Sequence, residues 1–168
     1  MGSSTSSSTA GISVAERAQI QRANASGLHP VVFVHGLWLL PGSWQRWAEL
    51  FEEAGYIALM PDWPGDPASV AEANANPDAM AGNTLGQVAD HLSAVVSQLE
   101  RKPAVIGHSF GGLLAQILAG RGQSTVTVAI DPAPFRGVLP LPLSALKASW
   151  PVLGNPAKRN RAVPLTEE

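Results

Sequence analysis

Short apolar runs alternate with amphipathic stretches along this chain. Val31-Val32-Phe33-Val34 follows Pro30 and ends in His35-Gly36. A β-branched run of that length reads as a strand buried on both faces. Pro41-Gly42-Ser43 then opens a helix in which Trp44, Trp47, Leu50 and Phe51 fall at helical spacing, and Gly55 stops it. Tyr56 to Met60 is a second strand, closed by Pro61-Asp62-Trp63-Pro64-Gly65, and a loop rich in Pro, Asn and Ala runs to Gly82. Thr84 and Gln87 form a capping box ahead of a helix whose apolar face is Leu85, Val88, Leu92, Val95, Val96 and Leu99. Ala104-Val105-Ile106 is a third strand, Leu113 to Ala119 a helix ended by Gly120, and Val126 to Ile130 a fourth strand ending at Asp131-Pro132.

This alternation predicts an α/β fold: a mostly parallel sheet with flanking helices and right-handed crossovers. Ahead of it, Ile12 to Ala25 fits a short helix, with Ser13 as cap and Glu16 three residues on. Met1 to Ala10 reads as a Ser/Thr-rich flexible tail. Beyond Phe135, Pro140, Pro142, Pro151, Pro156 and Pro164 break up the chain, leaving room for a short helix around Leu143 to Ser149. The expected division is residues 1–29 as tail and helix, 30–134 as the sheet-forming core, and 135–168 as the start of an insertion over the sheet.

Composition narrows the chemistry. At 168 residues with 45% apolar and 14% charged residues, the chain suits one globular domain. Its net charge of -2 offers no basic surface for nucleic acid or anionic lipid. The absence of cysteine removes disulfides, thiolate zinc sites and cysteine nucleophiles. No apolar run reaches the roughly 18 residues of a membrane span. Met1 to Thr9 lacks the charge and apolar stretch of a secretory signal. Met1-Gly2 with Ser6 fits a myristoylation pattern in form, but a plain Ser/Thr tail is the simpler reading, and the expected location is cytoplasmic. No P-loop, dinucleotide fingerprint or clustered ligand set is present, so no cofactor and no metal is expected.

The chemistry concentrates at Gly107-His108-Ser109-Phe110-Gly111-Gly112, between the third strand and the helix after it. A serine hydroxyl is a poor nucleophile and needs a base, an exposed position and oxyanion donors. A G-x-S-x-G turn between strand and helix supplies the last two: it lifts the serine to the sheet's carboxyl edge, and the helix N-terminus turns free N–H groups toward it. Five residues match by chance often enough that context carries the weight, and here an apolar strand precedes the motif and an apolar helix follows it.

With His35-Gly36 after the first strand and Asp62-Trp63-Pro64-Gly65 after the second, residues 30–134 resemble the N-terminal half of an α/β-hydrolase-fold serine hydrolase of the esterase or lipase kind. The resemblance implies the α/β-hydrolase fold, truncated before its last strands. It assigns Ser109 as nucleophile, and the backbone N–H groups of Phe110 and Leu37, with Trp38 as the alternative to Leu37, as the oxyanion hole. Trp38, Leu39, Leu40, Phe110 and Phe135 are candidates for an apolar acyl or alcohol pocket, of which Trp38 and Phe135 are the leading pair. Trp44 and Trp47 read as packing. Asp131, at the carboxyl end of the fourth strand, is either the triad acid or a loop aspartate capping backbone N–H groups before Pro132. Asp62 reads as a loop cap.

The mechanism also needs a histidine, which in this family follows the nucleophile in chain order. His29, His35, His91 and His108 all precede Ser109. His108 neighbours Ser109 on an extended segment, which points its ring to the other side. His35 is expected to order its own loop, and His91, beside Asp90, to lie on the polar face of its helix. The expected function is a serine hydrolase of ester (or amide) bonds in small-molecule, ester-like substrates, in an incomplete form lacking the catalytic histidine and inactive or weakly active alone. The alternatives are a non-catalytic fragment or interaction protein of α/β-hydrolase descent, prone to self-association through an exposed sheet edge, and a cofactor-free perhydrolase or acyltransferase-like relative.

Overall fold

A computed structural model of the chain describes residues 11–138, together with Leu143, Ser144, Lys147, Trp150 and Gly154. The expected N-terminal tail and most of residues 135–168 lie outside the described residues. The short helix expected around Leu143 to Ser149 lies mostly outside the described residues; Leu143, Ser144 and Lys147 are described as helical.

The first described element is α1 (Val14–Ser26), held by a complete capping box between Ser13 and Glu16. It continues through β1 (His29–Val34), a 3-10 turn at Pro41–Trp44, α2 (Gln45–Glu53), β2 (Tyr56–Leu59), α3 (Val70–Ala75), a second 3-10 turn at Pro77–Met80, α4 (Leu85–Val96), β3 (Ala104–His108), α5 (Phe110–Gly120) and β4 (Val126–Ile130). The strands make one parallel sheet in the order β2-β1-β3-β4. This is the arrangement the alternating pattern predicts.

Side-chain alternation along the strands builds two cores. Val32 and Val34 of β1, with Ile57, Leu59 and Val105, pack against Ile20 and Ala23 of α1, Leu92 and Val95 of α4, and Leu114 and Leu118 of α5. Val31 and Phe33, with Ala58 and Ile106, face the other way, onto Trp44 and Ala48. Phe33 meets Trp44 at 5.2 Å and Phe51 at 5.4 Å between ring centroids. Trp44 is thus packing, as expected, whereas Trp47 is 47% exposed.

Two elements differ from the sequence reading. The run to Gly82 is not all loop: Ser69 caps α3 by accepting from the Glu72 N–H. The helix after Ser109 begins at Phe110 rather than Leu113: Gly111 and Gly112, poor helix formers that masked its start in the sequence, lie in its first turn in close contact with Val34, His35 and Pro132.

The outer strands end differently. α1 covers the edge of β2: the Gln19 side-chain amide accepts from the Met60 N–H at 2.7 Å and donates to its carbonyl at 3.3 Å, and Arg22 donates to the Ala58 carbonyl at 2.8 Å. β4 has no strand beyond it among the described residues, and its Val126 and Val128 are 60% and 43% exposed.

Candidate active site

The site assembles at the carboxyl ends of β1 and β3. Ser109 caps α5 with φ 55° and ψ -121°, a left-handed conformation rare in a side chain with a Cβ. Three backbone hydrogen bonds hold it there: its N–H donates to Ile130 (3.0 Å), and its carbonyl accepts from Leu113 (3.1 Å) and Ala133 (2.9 Å). The flanking glycines are required by space. A methyl at Gly107 would overlap the Gly111 carbonyl, and one at Gly111 would overlap the backbone of Val34 and His35. At Gly112 it would press on Pro132 at 3.1 Å. Ser109 is half-buried, and its hydroxyl makes no hydrogen bond among the described residues.

The loop after β1 lies against this elbow. A Cβ placed on Gly36 would sit 3.2 Å from the Ser109 Cβ and from the His108 carbonyl. Leu37 follows at 36% exposure, and Trp38 takes φ 65°. Among the described residues, neither the Leu37 nor the Phe110 N–H has a protein acceptor, so both donors stay available. His35 anchors the loop. It is 1% exposed, its Nδ1 donates to the Gly36 carbonyl at 3.0 Å, its Nε2 lies 2.9 Å from the Asp66 carboxylate, and its ring stacks on Trp63. Asp66 also accepts from the Trp63 N–H at 2.7 Å. The loop-capping role expected of Asp62 therefore belongs to Asp66, which the sequence reading missed. Its place at the end of a Pro-Gly turn does not name its partner, so no local pattern singles it out.

Asp62 instead lines a cleft of about 500 Å³ with Trp38, Leu39, Leu40, Pro41, Gly42, Ser43, and Pro67 to Val70. Trp38, Leu39 and Leu40 thus share one wall, as a pocket requires. Phe110 and Phe135 are not among its lining residues, and Phe135 is 46% exposed. Burial pushes the Asp62 carboxyl above the ordinary range, and the charges of Glu16 and Asp66 push the same way.

Asp131 is exposed beyond β4, at φ 41°. Its carboxylate accepts no hydrogen bond among the described residues, so the capping role is not what the geometry displays. The Ser109 N–H bond to Ile130 joins the two strand ends and sets Asp131 one residue from the elbow's support.

None of the histidines hydrogen-bonds Ser109. His29 opens β1 at the opposite end of the sheet, and His35 is committed to its loop. His91 corrects the sequence reading: it is on the buried side of α4, 8% exposed, with Nε2 2.7 Å from a Glu16 carboxylate oxygen. Burial alone would raise the Glu16 pKa, but hydrogen bonds from His91 and from the Ser13 backbone outweigh it and hold it below 4.5. The spacing Val88, His91, Leu92, Val95 carried this information, since i, i+3, i+4 and i+7 share a helix face. Among the described residues, no group of His, Asp or Glu could hold a metal ion, and no helix is long and apolar enough to cross a membrane.

The sequence pattern of the alpha/beta hydrolase family matches residues 31–167, a longer stretch than the motifs alone mark out. Among solved structures, an extracellular alpha/beta-hydrolase from a Paenibacillus species aligns with TM-score 0.58 and 22% identity over 82% of this chain and 55% of its own. That protein is described as sharing structural and functional homology with tobacco salicylic acid binding protein 2. The monoacylglycerol lipase of Paleococcus ferrophilus aligns with TM-score 0.52 and 24% identity over 74% of this chain and 48% of its own. A probable hydrolytic enzyme of Pseudomonas aeruginosa aligns with TM-score 0.51 and 25% identity over 73% and 36%. No curated protein matches the sequence. The chain spans between about a third and just over half the length of these solved structures. A family match across most of the chain, a parallel sheet of the right order and a glycine-flanked serine on a strained turn agree: the chain belongs to the alpha/beta hydrolase family.

Proposed function

We propose that this chain carries the nucleophile half of a serine hydrolase acting on ester or amide bonds. The observation that carries the reading is the Ser109 turn, whose left-handed backbone is held between Ile130, Leu113 and Ala133 while its hydroxyl stays free. Ser109 Oγ attacks the carbonyl carbon, the Leu37 and Phe110 N–H groups take the oxyanion, and the C–O or C–N bond breaks as the leaving group departs with a proton. Water then attacks the acyl group and regenerates the serine. Both proton transfers need a base that His29, His35, His91 and His108 do not offer to Ser109. The chain alone is accordingly an acylatable scaffold with impaired turnover, and Asp131 is the residue to test as the acid partner of a base.

A base-poor serine should be acylated slowly and deacylated more slowly still. Incubating the 168-residue chain with p-nitrophenyl butyrate and reading intact mass tests this. The expected result is a single butyryl adduct per chain, mapped to Ser109 and absent from Ser109→Ala. Sustained turnover unaffected by Ser109→Ala, or no adduct at all, overturns the reading. The second outcome favours a non-catalytic interaction protein, which the exposed valines of β4, a strand unpaired on its outer edge among the described residues, support.

A further inference from the structure

The cleft beside the Leu37 loop has a chemical character that the serine does not explain. Its walls are apolar along Trp38 to Pro41 on one side and Pro67, Ala68 and Val70 on the other. Neither Lys nor Arg is among its lining residues. Its one charged lining group is Asp62, half-buried, with no hydrogen-bond donor among the described residues. A half-buried carboxylate that no donor satisfies favours an incoming positive charge. Trp38 is 52% exposed on the same cleft, and an indole is the strongest aromatic partner for a cation.

We propose that this cleft binds an alkylammonium group, primary or quaternary, attached to an apolar body, with Asp62 supplying the counter-charge and Trp38 the aromatic wall. The volume of about 500 Å³ admits such a group with an acyl or alkyl chain. The raised pKa of Asp62 supports this, because burial and the neighbouring Glu16 and Asp66 carboxylates all penalise its negative charge, which a bound cation would offset; His35 and His91 act in the opposite sense. Trp38 is separated from Gly36, which packs on the Ser109 turn, by Leu37 alone. As a substrate subsite the cleft would therefore select amino or ammonium esters, a step that rests on the serine-hydrolase reading. As a binding site it does not.

The test is a ligand-observed NMR titration of the chain with choline and with its uncharged isostere 3,3-dimethylbutanol. Choline should bind about fivefold more tightly, the order expected of a partly desolvated cation beside an aromatic ring and a carboxylate. Asp62→Asn should shrink that preference to about twofold, the share that the Trp38 ring supplies. Trp38→Ala, in an exposed loop where a folding defect is not expected, should weaken choline and leave the isostere less affected. Ser109→Ala should change neither, so this inference and the acyl-enzyme reading fail separately. Equal affinity of the native chain for both ligands, or a choline preference undiminished by Asp62→Asn, overturns the proposal.

Discussion

Ser109 is held in a conformation that a serine adopts only under constraint, and the constraint costs stability. A non-glycine residue in such a region is disfavoured by roughly 1–3 kcal/mol. Ser109→Gly should therefore raise the stability of the chain by about 1 kcal/mol, read as a higher urea midpoint, while abolishing acylation. The neighbouring glycines act in the opposite direction. Gly111→Ala places a methyl into the Val34 and His35 backbone and should cost about 3 kcal/mol or more. Gly42→Ala, where nothing lies within 4 Å, should change stability by no more than about 0.5 kcal/mol. The G-x-S-x-G spacing was readable from the sequence because these sterics are local. Asp66 was not, because its partner His35 lies 31 positions earlier and only the packing of the β2–α3 loop onto β1 brings them to 2.9 Å.

At the scale of elements, α1 lies outside the matched family segment yet is built into the fold. Its capping glutamate also closes the buried contact with His91 of α4, and its Gln19 and Arg22 occupy the β2 edge. Removing one partner of a buried pair leaves the other uncompensated, so Glu16→Ala should cost about 3–5 kcal/mol, and the paired change Glu16→Met with His91→Leu should recover much of it. The pH dependence has a definite sign. Glu16 is held below 4.5 in the folded chain, so its stabilisation is present above that value and is lost as pH falls toward the folded value. The difference in Tm between the native chain and Glu16→Gln should be large at neutral pH and shrink in acid. The four strands and both capping boxes were legible because each follows from apolar periodicity or from residues three apart. α3 was not: its six residues bury none of their own side chains, so they leave no periodic stripe to read.

For the whole molecule, the described sheet is closed on one side and open on the other. Helix α1 covers β2, whereas among the described residues no strand pairs with the outer edge of β4, whose Val126 and Val128 are exposed. An unpaired apolar edge strand invites pairing with another chain. We expect light scattering to detect concentration-dependent association, reduced by Val128→Lys, whereas a strictly monomeric native chain would mean that the edge is covered. The chemical proposal is that Ser109 is a nucleophile served by the Leu37 and Phe110 N–H groups, with no histidine among the described residues placed to act as its base. The most direct test is the rate at which a fluorophosphonate probe labels Ser109 with and without added imidazole, compared with Ser109→Ala. General-base assistance is worth roughly 100- to 10,000-fold in rate when positioned, so free imidazole should recover about tenfold. Labelling that is slow, accelerated by imidazole and absent from Ser109→Ala is the expected result. Labelling already fast without imidazole, or none even with it, would contradict the claim.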